Sequence, residues 1–209
     1  MIALIDYGAG NLTSVKKALT FLGVDFVVPD TPSVLDKAHG IIVPGVGNFA
    51  ATAALEGAWY DAIAAATGSG KPLLGICLGM QWLFEGSDEA PEVKGLGVMK
   101  GRITRLQGDA ERRLKIPHVG WNALEFRSTG PPGSGLPRLL RGLEPAAQVY
   151  FTHSYAAPVT DDCVAATTHR EAFASVVERD NIFGVQFHPE KSSEAGLQML
   201  RNFLSACDR

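Results

Sequence analysis

The sequence is short of cysteine: three in 209 residues, an odd number at wide spacings. That excludes the disulfide framework of a small secreted domain and fits a reducing compartment. It also lacks any C-x-x-C or H-x-x-x-H pair, so a metal site would need ligands gathered from far apart, and no metal or other cofactor is expected. A basic surplus is missing too. The 19 Lys and Arg stand against 22 Asp and Glu, net charge -3, which is wrong for neutralising a phosphate backbone and argues against a nucleic-acid partner. No apolar run approaches the roughly 20 residues that span a bilayer. The first residues, Met1 to Asp6, have no positive n-region and meet an acid early, unlike a signal peptide. The expectation is a soluble, cytoplasmic protein with no membrane contact and no internal repeat.

What is present suffices for a sizeable core. The chain is 46% hydrophobic, and one domain spanning residues 1–209 is the simplest reading. Short apolar runs recur in the first half at Ile2 to Ile5, Phe26 to Val28, Ile41 to Val43 and Leu73 to Ile76, each the length of a buried strand. Between the first two, Leu12, Val15, Ala18, Leu19 and Leu22 recur at helical spacing, with Asn11 placed to cap the helix and Gly23 to end it. A second, alanine-rich helix is expected from about Phe49 to Ala66. Alternating strand and helix imply a mostly parallel sheet covered by helices on both faces, a three-layer α/β fold.

After Gly86 the texture becomes β-branched and alternating, at Val98 to Leu106, Val149 to Tyr155, Val164 to Thr168, Ser175 to Glu178 and Ile182 to Phe187. These read as an added antiparallel portion with hairpins. Ser128 to Pro137, with its glycines and prolines, reads as a surface loop. A last helix is expected from about Ser193 to Ala206.

Two strings carry chemistry. Leu73 to Gln81 is an apolar strand running into Gly-x-Cys-x-Gly and then a helix-like stretch, the pattern of a nucleophile elbow with sulfur in place of oxygen. Cys77 would then sit at a helix N-terminus, where the dipole favours thiolate and the amide of Leu78 can point at a developing oxyanion. The alternative is a small buried hydrophobe, the usual fate of a free cysteine. The second string, Phe187-His188-Pro189-Glu190, places a histidine at the end of a strand and an acid two positions on, able to hold the second imidazole nitrogen. On other grounds these are a loop histidine and a surface acid. Pro44-Gly45-Val46-Gly47 follows a strand; the amides of Val46 and Gly47 can complete an oxyanion hole opposite Leu78, or the segment is an ordinary strand-to-helix turn. Cys163, Cys207, His39, His153 and His169 carry no catalytic motif.

Gly-Ile-Cys-Leu-Gly-Met-Gln, Pro-Gly-Val-Gly and Gln-Phe-His-Pro-Glu-Lys-Ser together resemble the class I, triad-type glutamine amidotransferases over nearly the whole chain. Three further strings are similar to the glutaminase subunits of imidazole glycerol phosphate synthases: Asp6 to Asn11, Lys115 to Asn122 and Tyr150 to Tyr155. The resemblance implies that Cys77 attacks the side-chain amide of L-glutamine, that His188 shuttles the proton, and that Glu190 orients His188. It also implies that Gly45, Gly47, Gln81, Ser154 and Tyr155 hold the glutamine. It implies a partner, a cyclase subunit with a (β/α)8 barrel that consumes the ammonia, and places Asn11, His118, Trp121, Asn122, Tyr150 and Lys191 at or near the contact.

Rival readings are an amidotransferase serving anthranilate, guanylate or pyridoxal phosphate synthesis, and a catalytically silent module of the same fold. A cysteine hydrolase of the α/β-hydrolase type orders its triad nucleophile, acid, histidine, and here the acid follows the histidine.

Overall fold

The computed structural model describes residues 1–10, 12–111, 114–127 and 135–208. The first half of the chain alternates β1 (Ile2–Leu4), α1 (Leu12–Phe21), β2 (Phe26–Val27), β3 (Gly40–Gly45), α2 (Ala58–Gly68), β4 (Leu73–Cys77) and α3 (Leu78–Trp82). Strands dominate afterwards: β5 (Gly86–Ser87), β6 (Ala90–Lys94), β7 (Thr104–Arg105), β8 (His118–Ala123) and β9 (Glu125–Phe126). They continue with β10 (Gln148–His153), β11 (Tyr155–Ala156), β12 (Cys163–His169), β13 (Glu171–Arg179) and β14 (Ile182–Val185), and α4 (Ser193–Cys207) closes the chain.

The central sheet has the order β2-β1-β3-β4-β14-β13-β12-β9. The strands from β2 to β14 run parallel, and β13, β12 and β9 extend the sheet antiparallel. The apolar runs are unbroken because both faces are covered. Leu4, Ile42, Leu74 and Ile76 pack with Val15, Leu19, Met199, Leu200 and Phe203 of α1 and α4. Their neighbours in sequence, Ala3, Ile5, Ile41, Val43 and Leu73, point the other way, onto Ile63 of α2 and Met80 and Trp82 of α3. Period-2 alternation in the strands is thus the reason the fold has three layers.

In α4 the buried residues Gly196, Met199, Leu200, Phe203 and Cys207 recur with the helical period, so one stripe faces the sheet. Burying each large side chain of that stripe contributes about 1.5–3 kcal/mol. Three antiparallel ribbons stand apart from the main sheet: β8 with β10, β7 with β11, and β5 with β6.

Several sequence expectations need correction. The helix from Phe49 to Ala66 is two pieces, a 3-10 segment Phe49–Leu55 and α2, because Glu56 is extended and Gly57 takes φ 67. Alanine favours helix, but a glycine with positive φ ends one. The segment from Val98 to Leu106 contributes only Thr104–Arg105 to a strand, since Gly97 and Gly101 also take positive φ. The helical cap at Asn11 and residues 128–134 of the expected loop lie outside the described residues. No described helix is long and apolar enough to cross a membrane.

Candidate active site

Cys77 ends β4 and its next residue begins α3. The turn between them is tight: Cys77 has φ 53 and ψ -108, a conformation L-residues avoid. Two glycines make it possible. A Cβ on Gly75 would lie 2.5 Å from the carbonyl oxygen of Gly79, and one on Gly79 would lie 1.8 Å from that of Val43. The Gly-x-Cys-x-Gly spacing is therefore a packing requirement of β3, β4 and α3 meeting at one point. The Leu78 amide, at the first position of α3, has no partner within its helix.

His188 follows β14, the neighbour of β4 in the sheet, so the strand order delivers it beside Cys77. Its Nδ1 and Glu190 Oε1 are 2.8 Å apart, and both side chains are 2% exposed. This leaves Nε2, buried and without a hydrogen-bond partner of good geometry, as the nitrogen available to the Cys77 thiol. Burial works against charge on the ring. Hydrogen bonding and attraction from Cys77 and from Glu190 outweigh it and hold the His188 pKa well above the usual histidine value.

Beside the thiol lies a cavity of about 270 Å3 whose walls include Val46, Gly47, Cys77, Leu78, Gln81, Ser154 and Tyr155. A Cβ on Gly45 would meet the Tyr7 hydroxyl at 2.0 Å, so Gly45 lets the phenol pack on the loop backbone. That hydroxyl is buried without a partner, and burial first, then Cys77, raises its pKa. Gln81 is buried, and its Nε2 donates to the Tyr155 carbonyl at 2.8 Å and to Gln186 Oε1 at 3.2 Å. Gln186 Nε2 in turn is 3.8 Å from Cys77 Sγ.

Two expected placements differ. The Val46 amide does not face the cavity as a free donor: it donates to the Ala9 carbonyl at 2.6 Å, so among the described residues Leu78 and Gly47 are the expected oxyanion donors left without a backbone partner. His118 is not a surface residue. Its side chain points inward from β8 and stacks on His169 at 4.2 Å and on Phe151 at 4.9 Å between ring centroids, because alternate residues of a strand face opposite ways. Val119 and Trp121 occupy the outward face and are 56% and 52% exposed. Trp121 stacks edge-on to Tyr150 at 6.0 Å, and Lys191 Nζ lies 6.0 Å from the Tyr150 ring. Trp121, Tyr150 and Lys191 therefore share a surface patch, with Asn122 half-buried next to Trp121.

Residues passed over in the sequence also reach the site: His153, Thr152, Pro117 and Glu89 line the cavity, and Glu89 Oε2 accepts from the Phe49 amide at 2.8 Å. His153 and Gln186 sit inside strings that carry the family resemblance, and the signal for them is a buried polar residue in an otherwise apolar strand. Among the described residues, no group of His, Cys, Asp and Glu is arranged to hold a metal ion.

The chain matches the family described as glutamine amidotransferase class-I over residues 3–207. It belongs to that family. It is 46% identical to the imidazole glycerol phosphate synthase subunit HisH of Halalkalibacterium halodurans, over 97% of this chain and 94% of that protein. It is 43% identical to the protein of the same name from Thermococcus kodakarensis, over 97% and 98%. Among solved structures, a glutamine amidotransferase superposes with a TM-score of 0.74 at 18% identity, covering 100% of this chain and 99% of that one. A chain of PurLQS from Thermotoga maritima superposes at 0.70 with 21% identity, covering 98% and 97%. These last two show the fold alone.

Proposed function

We propose that this chain is a single glutaminase unit, working in the cytoplasm as the ammonia-producing subunit of an imidazole glycerol phosphate synthase. The observation that carries the reading is the meeting of a cysteine on a strained strand-to-helix turn with a buried His188–Glu190 pair, at the rim of a cavity large enough for an amino acid. Near full-length likeness to the HisH subunits supports the choice of pathway over the anthranilate, guanylate and pyridoxal phosphate alternatives.

In the proposed reaction Cys77 Sγ attacks the side-chain amide carbon of L-glutamine and its proton passes to His188 Nε2. The raised proton affinity of His188, held up by Cys77 and Glu190, favours the state in which the proton sits on the ring and the sulfur is free to attack. Charge on the tetrahedral oxygen falls to the Leu78 amide. The intermediate collapses, His188 returns the proton to the departing nitrogen, and ammonia leaves a γ-glutamyl thioester on Cys77. Water then attacks the thioester while His188 takes its proton, releasing glutamate and the free thiol. Glu190 keeps the ring in the tautomer that offers Nε2 to sulfur. Gly47, Gln81, Ser154 and Tyr155 form the glutamine pocket, while Gly45, which is not among the residues of the cavity wall, serves it by packing against Tyr7.

The ammonia is consumed by a (β/α)8-barrel cyclase subunit that docks over Trp121, Asn122, Tyr150 and Lys191; Asn11, a further contact implied by the family resemblance, lies outside the described residues. Exposed aromatic side chains beside a lysine suit an interface anchor. With Val46 bonded to Ala9 one expected oxyanion donor is engaged elsewhere, so partner binding raises the rate by turning an amide of Val46 or Gly47 toward the cavity. Glutamate release by the chain alone, and mixed with a cyclase partner plus its nucleotide substrate, tests both statements. Strong stimulation abolished by Cys77→Ala is the expected result. Full activity of the isolated chain would remove the activation step, and no release in any mixture would overturn the assignment.

A further inference from the structure

From the cavity wall inward runs a second set of histidines that the proposed reaction does not use. His118 of β8 and His153 of β10 are register partners across the ribbon. Both are buried, and His118 Nδ1 is 3.1 Å from His153 Nε2. His153 Nδ1 lies 2.9 Å from the Tyr155 carbonyl, which can only accept, so this nitrogen carries the proton. His153 Nε2 must then accept, and His118 must donate from its own Nδ1. That leaves His118 Nε2 as an acceptor, and the Asn122 amide stands 3.4 Å from it while also donating to the Thr168 carbonyl at 3.1 Å. One fixed carbonyl thus sets the tautomer of two rings, and it agrees with the orientation that the Thr168 carbonyl and the Ala123 amide, donating to Asn122 Oδ1 at 2.8 Å, impose on the Asn122 amide.

The same Tyr155 carbonyl receives Gln81 Nε2 from its other side. The line of hydrogen bonds therefore runs from Asn122, beside exposed Trp121, through His118 and His153 to a wall of the cavity, and on through Gln81 and Gln186 toward Cys77. The line has one direction of donation along its histidine stretch and tolerates no extra proton there. Burial is the main reason both rings stay neutral, lowering His153 to about 3 and His118 to about 4. The hydrogen bond to the Tyr155 carbonyl partly opposes burial at His153, while electrostatic repulsion from the neighbouring His118, His169 and His188 rings reinforces it.

We propose that His118 and His153 are positioning residues for the glutaminase reaction, holding the Tyr155–Gln81 wall of the glutamine pocket in register with the Asn122 amide on the partner-facing strand. The inference rests on the glutaminase reading above. A partner that shifts Asn122 shifts a donor that His118 needs, and the pocket wall follows.

The test has one arm that needs no activity. Nitrogen-15 spectra of histidine in the full chain at pH 7 should show His118 and His153 neutral with the proton on Nδ1; a charged His118, or one protonated on Nε2, overturns the proposal even if glutaminase activity is present. The second arm uses the chain in complex with its cyclase. His118→Phe keeps the stacking on His169 and Phe151 but removes the donor. It should raise the KM for L-glutamine about 3- to 10-fold, the effect of one neutral hydrogen bond, with kcat changed less than about twofold. His118→Asn, which restores a donor near the Nδ1 position, should recover the KM. Unchanged KM, or kcat falling in step with the folded fraction, would assign the rings a merely structural role and overturn the proposal. Absence of glutamate release by the unsubstituted complex would instead count against the function, leaving the tautomer result to decide the hydrogen-bonded line.

Discussion

The molecule holds two buried histidine sites close enough to feel each other's charge, and their chemistry is opposite. At the end of β14, His188 meets a carboxylate and a thiol, and its affinity for a proton rises. In the β8–β10 ribbon, His118 and His153 meet each other, an amide and a carbonyl, and their affinity falls. Burial is similar in kind at both. What differs is the facing groups: groups able to carry negative charge at His188, and other histidine rings at His118 and His153, and this separates a base from a neutral hydrogen-bonding spacer.

The sharpest way to break the comparison is at its acidic end. Cys77→Ala should reduce glutamate release at least about 10^4-fold, because the members of a triad act as a unit; release from glutamine in the complex measures it. Glu190→Gln should lower kcat by about 10^2-fold or more and let the His188 pKa fall, since it removes one of the two groups that hold it up. The pH dependence of thiol alkylation at Cys77 reads that fall, and an unchanged profile would mean Glu190 has no hold on the ring. On the surface of the ribbon, Trp121→Ala should weaken cyclase binding by about 2 kcal/mol or more while leaving the melting temperature of the free chain in place, as titration and calorimetry would show.

A smaller effect distinguishes the two sites by pH. His118 and His153 have folded pKa values below the ordinary 6.5, so the unfolded chain binds more protons in that window. Their contribution to stability is complete above about 6.5 and is lost as pH falls toward about 4 and about 3. His188 has the reverse sign: its contribution is present below 6.5 and disappears as pH rises through its elevated folded value. The melting temperature should therefore drop by about 5 °C or more between pH 7 and pH 5, and His118→Phe should flatten that slope. An identical slope in the variant would show that other groups titrate there.

The same contrast explains what the sequence disclosed. The parallel half was readable because each strand is an unbroken apolar run and each turn carries a glycine that geometry demands, so Cys77 and the Gly75–Gly79 pair stand out in the string of letters itself. His188 and Glu190 were adjacent in one string, and the strand order supplied only their distance to Cys77. The ribbon was harder. His118 is grouped with its neighbours Trp121 and Asn122 at or near the partner contact by resemblance, since the string does not say which face of β8 is inward, and a one-residue shift in register would exchange the faces. The bond from Val46 to Ala9 joins two loops distant in sequence, and neither loop carries a pattern that announces it. The break at Gly57 was visible as a glycine but was outweighed by the alanines around it.

The backbone of Cys77 has one more consequence. At φ 53 the residue occupies a region that suits glycine, and the sulfur is the reason an L-side chain is kept there. Cys77→Ala silences the thiol but retains the Cβ that suffers in this turn, whereas Cys77→Gly removes both. The glycine variant should then melt above the alanine variant, by a margin on the order of 1 kcal/mol in unfolding free energy. Such a chain would be a better frame for trapping bound glutamine, and its surplus over the working protein would be a direct reading of how much foldedness is surrendered to place a nucleophile at the crest of a turn.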